Sequence, residues 1–131
     1  MEKIVTTKKP SYEVKLFIGS VDESCKTAFA ERVIVDLVAE FQESKKQILP
    51  IRISRVSFIS GSNYREQGWE LSAINFPKVN SWGRSYKKFM SEYMNDLARL
   101  LMTRLNQKRV SVVSGKNTYI HENLKFLKVS S

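Results

Sequence analysis

The sequence predicts an α+β ferredoxin-like sandwich of order βαββαβ: a four-stranded, mostly antiparallel sheet with two helices on one face. Three observations carry this. Segments 12–20 and 51–60 alternate apolar and polar residues. Segments 27–45 and 85–106 carry apolar stripes at helical period. Segment 61–68 is turn-rich and lies between two strand-like runs.

The elements follow in order. Residues 1–11 are polar, bear lysines and end in Pro10-Ser11, so they read as a flexible basic arm ahead of one α+β domain at 12–122. In YEVKLFIGS, Val14, Leu16 and Ile18 alternate with Glu13, Lys15 and Phe17, and Gly19 ends the strand. The first helix is expected over 27–45. Phe29, Val33, Leu37 and Phe41 form its stripe, widened by Ala30, Ile34 and Val38. Ser24 or Thr27 would cap it.

Pro50 resets the backbone before the strand 51–60. The apolar phase slips there between Ile51/Ile53 and Val56/Phe58, which predicts a β-bulge near Ser54-Arg55. A hairpin loop at 61–68 leads to the returning strand 69–76, stopped by Pro77. The second helix takes its period from Phe89/Met90, Tyr93, Leu97, Leu100/Leu101 and Leu105, with Asn106 as C-cap. RVSVVS at 109–114 is a strand, Gly115-Lys116-Asn117 a turn, and Thr118-Tyr119-Ile120 continues as strand. Residues 123–131 form a short tail.

The 131 residues hold 22 Lys and Arg against 13 Asp and Glu, a net charge of +9. Nine of those cations, against two acids, lie in 78–116. Such a field attracts polyanions. Lys78, Trp82, Arg84, Tyr86, Lys87 and Lys88 combine cations with π-faces at a helix entrance, and Lys108, Arg109 and Lys116 sit beyond its end. An intervening helix of about 22 residues would hold the two ends roughly 33 Å apart, which favours a polymer over a small ligand. Arg52 and Arg55 would make a basic sheet face, and Tyr64 and Arg65 sit on the hairpin tip.

Other chemistries find little. The RNA-recognition motif fails, because RVSVVSGK lacks both stacking aromatics. One cysteine (Cys25) and one histidine (His121) assemble no conventional zinc site, and no disulfide can form within the chain. There is no P-loop, GxGxxG or GxSxG motif. No apolar run approaches the ~18 residues of a membrane span, and no signal peptide opens the chain, so a cytoplasmic location is expected.

YEVKLFIGS, the Gly-Trp-Glu strand running into INFP, and RVSVVSGKNTYIHEN together resemble small uncharacterised proteins encoded by bacteriophages. The resemblance implies a phage origin and expression in a bacterial host cytoplasm, and assigns no catalytic residue.

The expected function is therefore a non-enzymatic nucleic-acid binder without cofactor, favouring RNA or single-stranded DNA, with a homodimer as the favoured assembly. Its cations would contact phosphates, and Trp82, Tyr86 and Tyr64 would stack. The alternatives are a phage-encoded binder of a small nucleotide signal, and a module that docks on a host or phage protein complex.

Overall fold

The computed structural model describes residues 2–8, 10–75 and 85–126. Within them the chain forms β1 (Glu13–Gly19), β2 (Val21–Asp22), β3 (Thr27–Ala28), α1 (Glu31–Glu43), β4 (Arg52–Ile59), β5 (Arg65–Ile74), α2 (Tyr86–Arg104), β6 (Arg109–Ser114) and β7 (Asn117–Glu122). A single 3-10 turn at Leu124–Phe126 follows.

The main sheet has five strands in the order β4-β5-β1-β6-β7, every neighbour antiparallel. The four expected strands are joined by β7, because the turn at Gly115 (φ 58°) folds 117–122 back onto β6. β1 is central. Its Val14, Leu16 and Ile18 are buried against the helices, with Leu71 and Trp69 beside them on β5 and Val110 and Val112 on β6. α2 lies on β1 and β6, and α1 lies on α2. Met90, Tyr93, Met94, Leu97, Leu101 and Leu105 face inward from α2, close to the expected stripe. Each fully buried leucine of this core contributes about 1.5–3 kcal/mol.

Three local expectations are corrected. The first helix starts at Glu31, capped by Ala30 without a side-chain hydrogen bond, so neither Ser24 nor Thr27 is its cap. Residues 21–28 instead form the β2–β3 ribbon. Asp22 closes its turn by accepting hydrogen bonds from the Ser24 N–H (2.8 Å) and hydroxyl (2.6 Å), and Lys26 takes the left-handed conformation. The inward stripe of α1 is Ile34, Leu37, Val38 and Phe41, and Val33 is exposed.

The third correction concerns β4. Its register with β5 runs unbroken from Arg52↔Ser72 to Ile59↔Arg65, so no bulge exists. The apolar phase slips because the strand changes the side it presents to apolar neighbours. Ile53 lies on the helix side opposite Leu71, whereas Phe58 lies on the other side opposite Glu66. β5 accordingly begins at Arg65, earlier than expected, and the loop shrinks to a turn closed by the Ser60 N–H donating to the Tyr64 carbonyl (3.1 Å).

Candidate functional site

The sheet side opposite the helices carries a candidate site. Strand alternation places Lys15 and Phe17 of β1, Glu66, Gly68 and Glu70 of β5, Phe58 of β4, and Arg109 and Ser111 of β6 on that side. Gly19 and Gly68 are directly paired across β1 and β5. Two facing glycines lower the pleated surface there: Phe58 packs over Gly68, and Gly19 lines the open trough beside it.

Close neighbours fill its margins. A Cβ on Gly68 would lie 2.5 Å from the Ile18 carbonyl oxygen and 2.7 Å from the Phe58 ring. A Cβ on Gly19 would lie 3.2 Å from Gln107 Oε1 and 3.3 Å from Glu66 Oε1. The Phe58 ring meets Phe17 edge-to-face, with centroids 6.1 Å apart. Here the sheet, the β4–β5 hairpin and the loop after α2 enclose a cavity of about 450 Å³, lined also by Glu23, Tyr64, Lys108, Arg109 and Ser111.

Gln107 holds the end of this cavity. It is buried, and its Oε1 accepts from the Gly19 N–H (3.1 Å) while its Nε2 donates to the carbonyls of Val21 (2.9 Å) and Leu105 (3.1 Å). One amide thus ties β1, β2 and the end of α2 together. The next turn is secured by Asn106 (φ 49°), whose Nδ2 donates to Asp22 Oδ2 (3.0 Å). Hydrogen bonds from Ser24, then Asn106, hold the Asp22 carboxyl well below the usual carboxylate range.

The charges are mixed. The Tyr64 hydroxyl donates to Glu66 Oε2 (2.9 Å); that bond, reinforced by the carboxylate charge, raises the phenol above its ordinary range. Arg109 pairs with Glu122 through Nε (3.0 Å) and stands beside Lys108 at the opposite rim. The cavity therefore offers aromatic walls with both carboxylates and cations among its lining residues.

The expected site residues do not form one basic surface. Lys78, Trp82 and Arg84 lie outside the described residues. Tyr86 is half-buried with its ring edge-on to Tyr12 (6.2 Å), so it packs where stacking was expected. Arg52 and Arg55 project from opposite sides of β4. Arg55 covers the Trp69 ring at 5.5 Å, and no shared basic face results. Tyr64, Lys108 and Arg109 line the cavity, while Arg65 opens β5 opposite Ile59. Lys87, Lys88 and Lys116 meet in a second groove. The expected separation of the two basic ends is thus corrected. β6 runs back antiparallel to the direction of the helix and returns Lys116 to the start of α2.

Among the described residues no group of three or more His, Cys, Asp or Glu could hold a metal ion. Cys25 is exposed in the β2–β3 turn, and His121 bonds Asn95 Oδ1 through Nε2 (2.7 Å). No helix is long and apolar enough to cross a membrane among those residues.

No family model and no curated protein matches the chain. Two solved structures share its fold. A phage SAM lyase in complex with S-methyl-5'-thioadenosine superposes at a TM-score of 0.62 and 12% identity, covering 97% of this chain and 100% of that one. A phage SAM lyase in the apo state gives 0.63 and 15%, covering 92% and 97%. Both are phage proteins, in agreement with the phage resemblance. They overturn the expectation of a non-enzymatic protein with a nucleic-acid partner: the proteins of this fold are named as enzymes, and the ligand that one of them holds is a small molecule.

Two features of the sequence bear on this cavity. The phase slip at 54–56 moved Phe58 to the open side. Gly19 and Gly68, read as a strand end and a turn residue, are a facing pair.

Proposed function

We propose that the glycine trough binds S-adenosylmethionine and that the protein cleaves it as a lyase, releasing S-methyl-5'-thioadenosine. The observation that carries this is the composition of the cavity within a fold shared with SAM lyases. S-adenosylmethionine joins an adenosine, a cationic sulfonium and an amino acid. Phe17 and Phe58 provide π-faces for the base or the sulfonium. Glu66 provides negative charge for the sulfonium, and Glu66 and Glu23, the latter paired with Lys26, provide hydrogen-bond acceptors for ribose hydroxyls. Lys108 and Arg109 provide cations for the amino-acid carboxylate. The cavity volume suits a ligand of this size.

The cleaved bond joins sulfur to the four-carbon amino-acid fragment. Its electron pair stays on sulfur, which becomes a neutral thioether. A lyase adds no water, so the fragment itself supplies the pair that replaces the lost bond. The protein orients the chain, shields the reacting carbon and holds the charges at either end.

We also read the frame as a ferredoxin-like unit with one added strand. The support is its topology: β1 to β4 and β5 to β6 each cross over through a helix and skip a neighbour.

The test is incubation of the purified protein with S-adenosylmethionine and mass spectrometry of the products. S-methyl-5'-thioadenosine should accumulate in proportion to enzyme, and Phe17→Ala should reduce kcat/KM by about tenfold or more. Saturable binding without product would assign the trough to a binder of the same ligand. Absence of both binding and turnover would refute the proposal.

A further inference from the structure

β6 leads away from the trough to a second concavity. Its five steps from Arg109 to Ser114 cover about 17 Å. At that far end the first turn of α2 and the β6–β7 turn enclose a groove of about 490 Å³ that shares no lining residue with the trough. Lys87 and Lys88 enter from α2, and Lys116 enters from the turn. Gly115, at φ 58°, makes the reversal that brings Lys116 round to the helix. The hydroxyls of Tyr12 and Ser114, 2.7 Å apart, lie between them, and Tyr119 stands 41% exposed at the wall.

Cations outnumber acids in this groove, and its lysines do not all have the carboxylate partner that Lys15, Lys26 and Lys45 have. Lys15, Lys26 and Lys45 each have a carboxylate at 3.3, 2.6 and 3.8 Å. In the groove only Lys88 has one, Glu92 at 3.9 Å. Lys87 lies over the Tyr12 ring at 5.6 Å. Neither it nor Lys116 pairs with a carboxylate among the described residues. Three ammonium groups are therefore gathered with one acid, and hydroxyl donors from Ser91 and Ser114 stand beside them. Convergent like charges repel, and an anion between them relieves that cost.

We propose that this groove is an anion site for the phosphate group of a small phosphorylated molecule, separate from the trough. Phosphate fits on three counts. Lysine recognises it as a point charge without needing the planar geometry that Arg gives a carboxylate. Neutral hydroxyls complete its shell. The groove is an open concavity on the surface, accessible to a phosphate group, with the Tyr12–Ser114 contact in its lining.

Calorimetric titration with inorganic pyrophosphate and with adenosine monophosphate tests this on the full chain. Saturable binding is expected, weakening with added salt. Lys87→Gln and Lys116→Gln should each weaken it about tenfold, whereas Lys116→Arg should retain it. Equal affinity for the two probes would support capture of the phosphate alone; tighter binding of the nucleotide is assigned to the groove only where Tyr119→Ala removes the gain, and to the trough where Phe17→Ala removes it. Glu66→Gln, in the trough, should leave phosphate binding unchanged, so the two sites can fail separately. Unchanged thermal melts would show that the lysine variants are folded. The proposal is overturned if neither probe binds at millimolar concentration in low salt, or if the Lys87→Gln/Lys116→Gln variant binds as tightly as the parent.

Discussion

The ring of Phe58 occupies the space that a side chain at Gly68 would need. A Cβ there would approach Phe58 Cε2 to 2.7 Å and, on its other side, the Ile18 carbonyl oxygen to 2.5 Å. Phe58 can swing away, but the Ile18 carbonyl belongs to the central strand and cannot.

Gly68→Ala is accordingly expected to destabilise the protein by about 1–3 kcal/mol through overpacking. The double variant Gly68→Ala/Phe58→Ala should stay destabilised, because the backbone contact survives removal of the ring. Urea denaturation of the four proteins checks this. Full recovery in the double variant would place the clash on the ring alone.

Gln107→Leu should cost about 3 kcal/mol or more, since it strips the Gly19 amide and the carbonyls of Val21 and Leu105 of a buried partner at once. Leucine keeps the volume, so the loss reports on hydrogen bonding. Binding to the trough should weaken along with stability, measured by calorimetry at a temperature where the variant is still folded.

Glu66→Gln separates charge from shape. S-adenosylmethionine is cationic at sulfur and S-methyl-5'-thioadenosine is neutral there. Removing the carboxylate charge should weaken the first by about tenfold and the second far less. Equal losses for both ligands would mean that Glu66 contacts the shared nucleoside instead.

Stability should respond to pH in two separate windows. Burial, and then the nearby Arg99 charge, push the His121 imidazole below its ordinary value of 6.5. The unfolded chain then binds a proton more readily than the native one, so stability is complete above about 6.5 and declines as the pH falls below it. Asp22 behaves likewise lower down: its carboxyl is depressed from 3.8, so its contribution is present above that value and is lost in stronger acid. His121→Gln should flatten the upper window and leave the lower one. Denaturant midpoints recorded across both ranges check the assignment.

Much of the frame was legible. Val14, Leu16 and Ile18 alternate because β1 has a core on one side only, and the stripe from Met90 to Leu105 marks the buried side of α2. The extent of α1 was not, because Asp22 pulls residues 21–28 into a ribbon through its own side chain, a local competition that periodicity does not register. A slip in apolar phase is the same string of letters whether a strand bulges or its apolar surroundings change sides, and Phe58 took the second course. The site itself depends on register. Gly19 and Gly68 are 49 positions apart and become neighbours only once β1 and β5 are aligned. The charge block was visible as a count, but its division between a trough rim and a distant groove follows from the return path of β6.

The central position of β1 gives the trough two mechanical halves. Its floor is paired with β5 along Glu13–Gly19 and with β6 up to Phe17, and the Gly19 amide is held by Gln107, so its amides exchange with solvent only on extensive opening. Its Tyr64 wall is the end of a turn joined to an edge strand, where local opening is cheap. A ligand entering the trough would be received by an anvil that does not yield and a single pliant jaw, and the rate of release would be set by the few residues of that jaw.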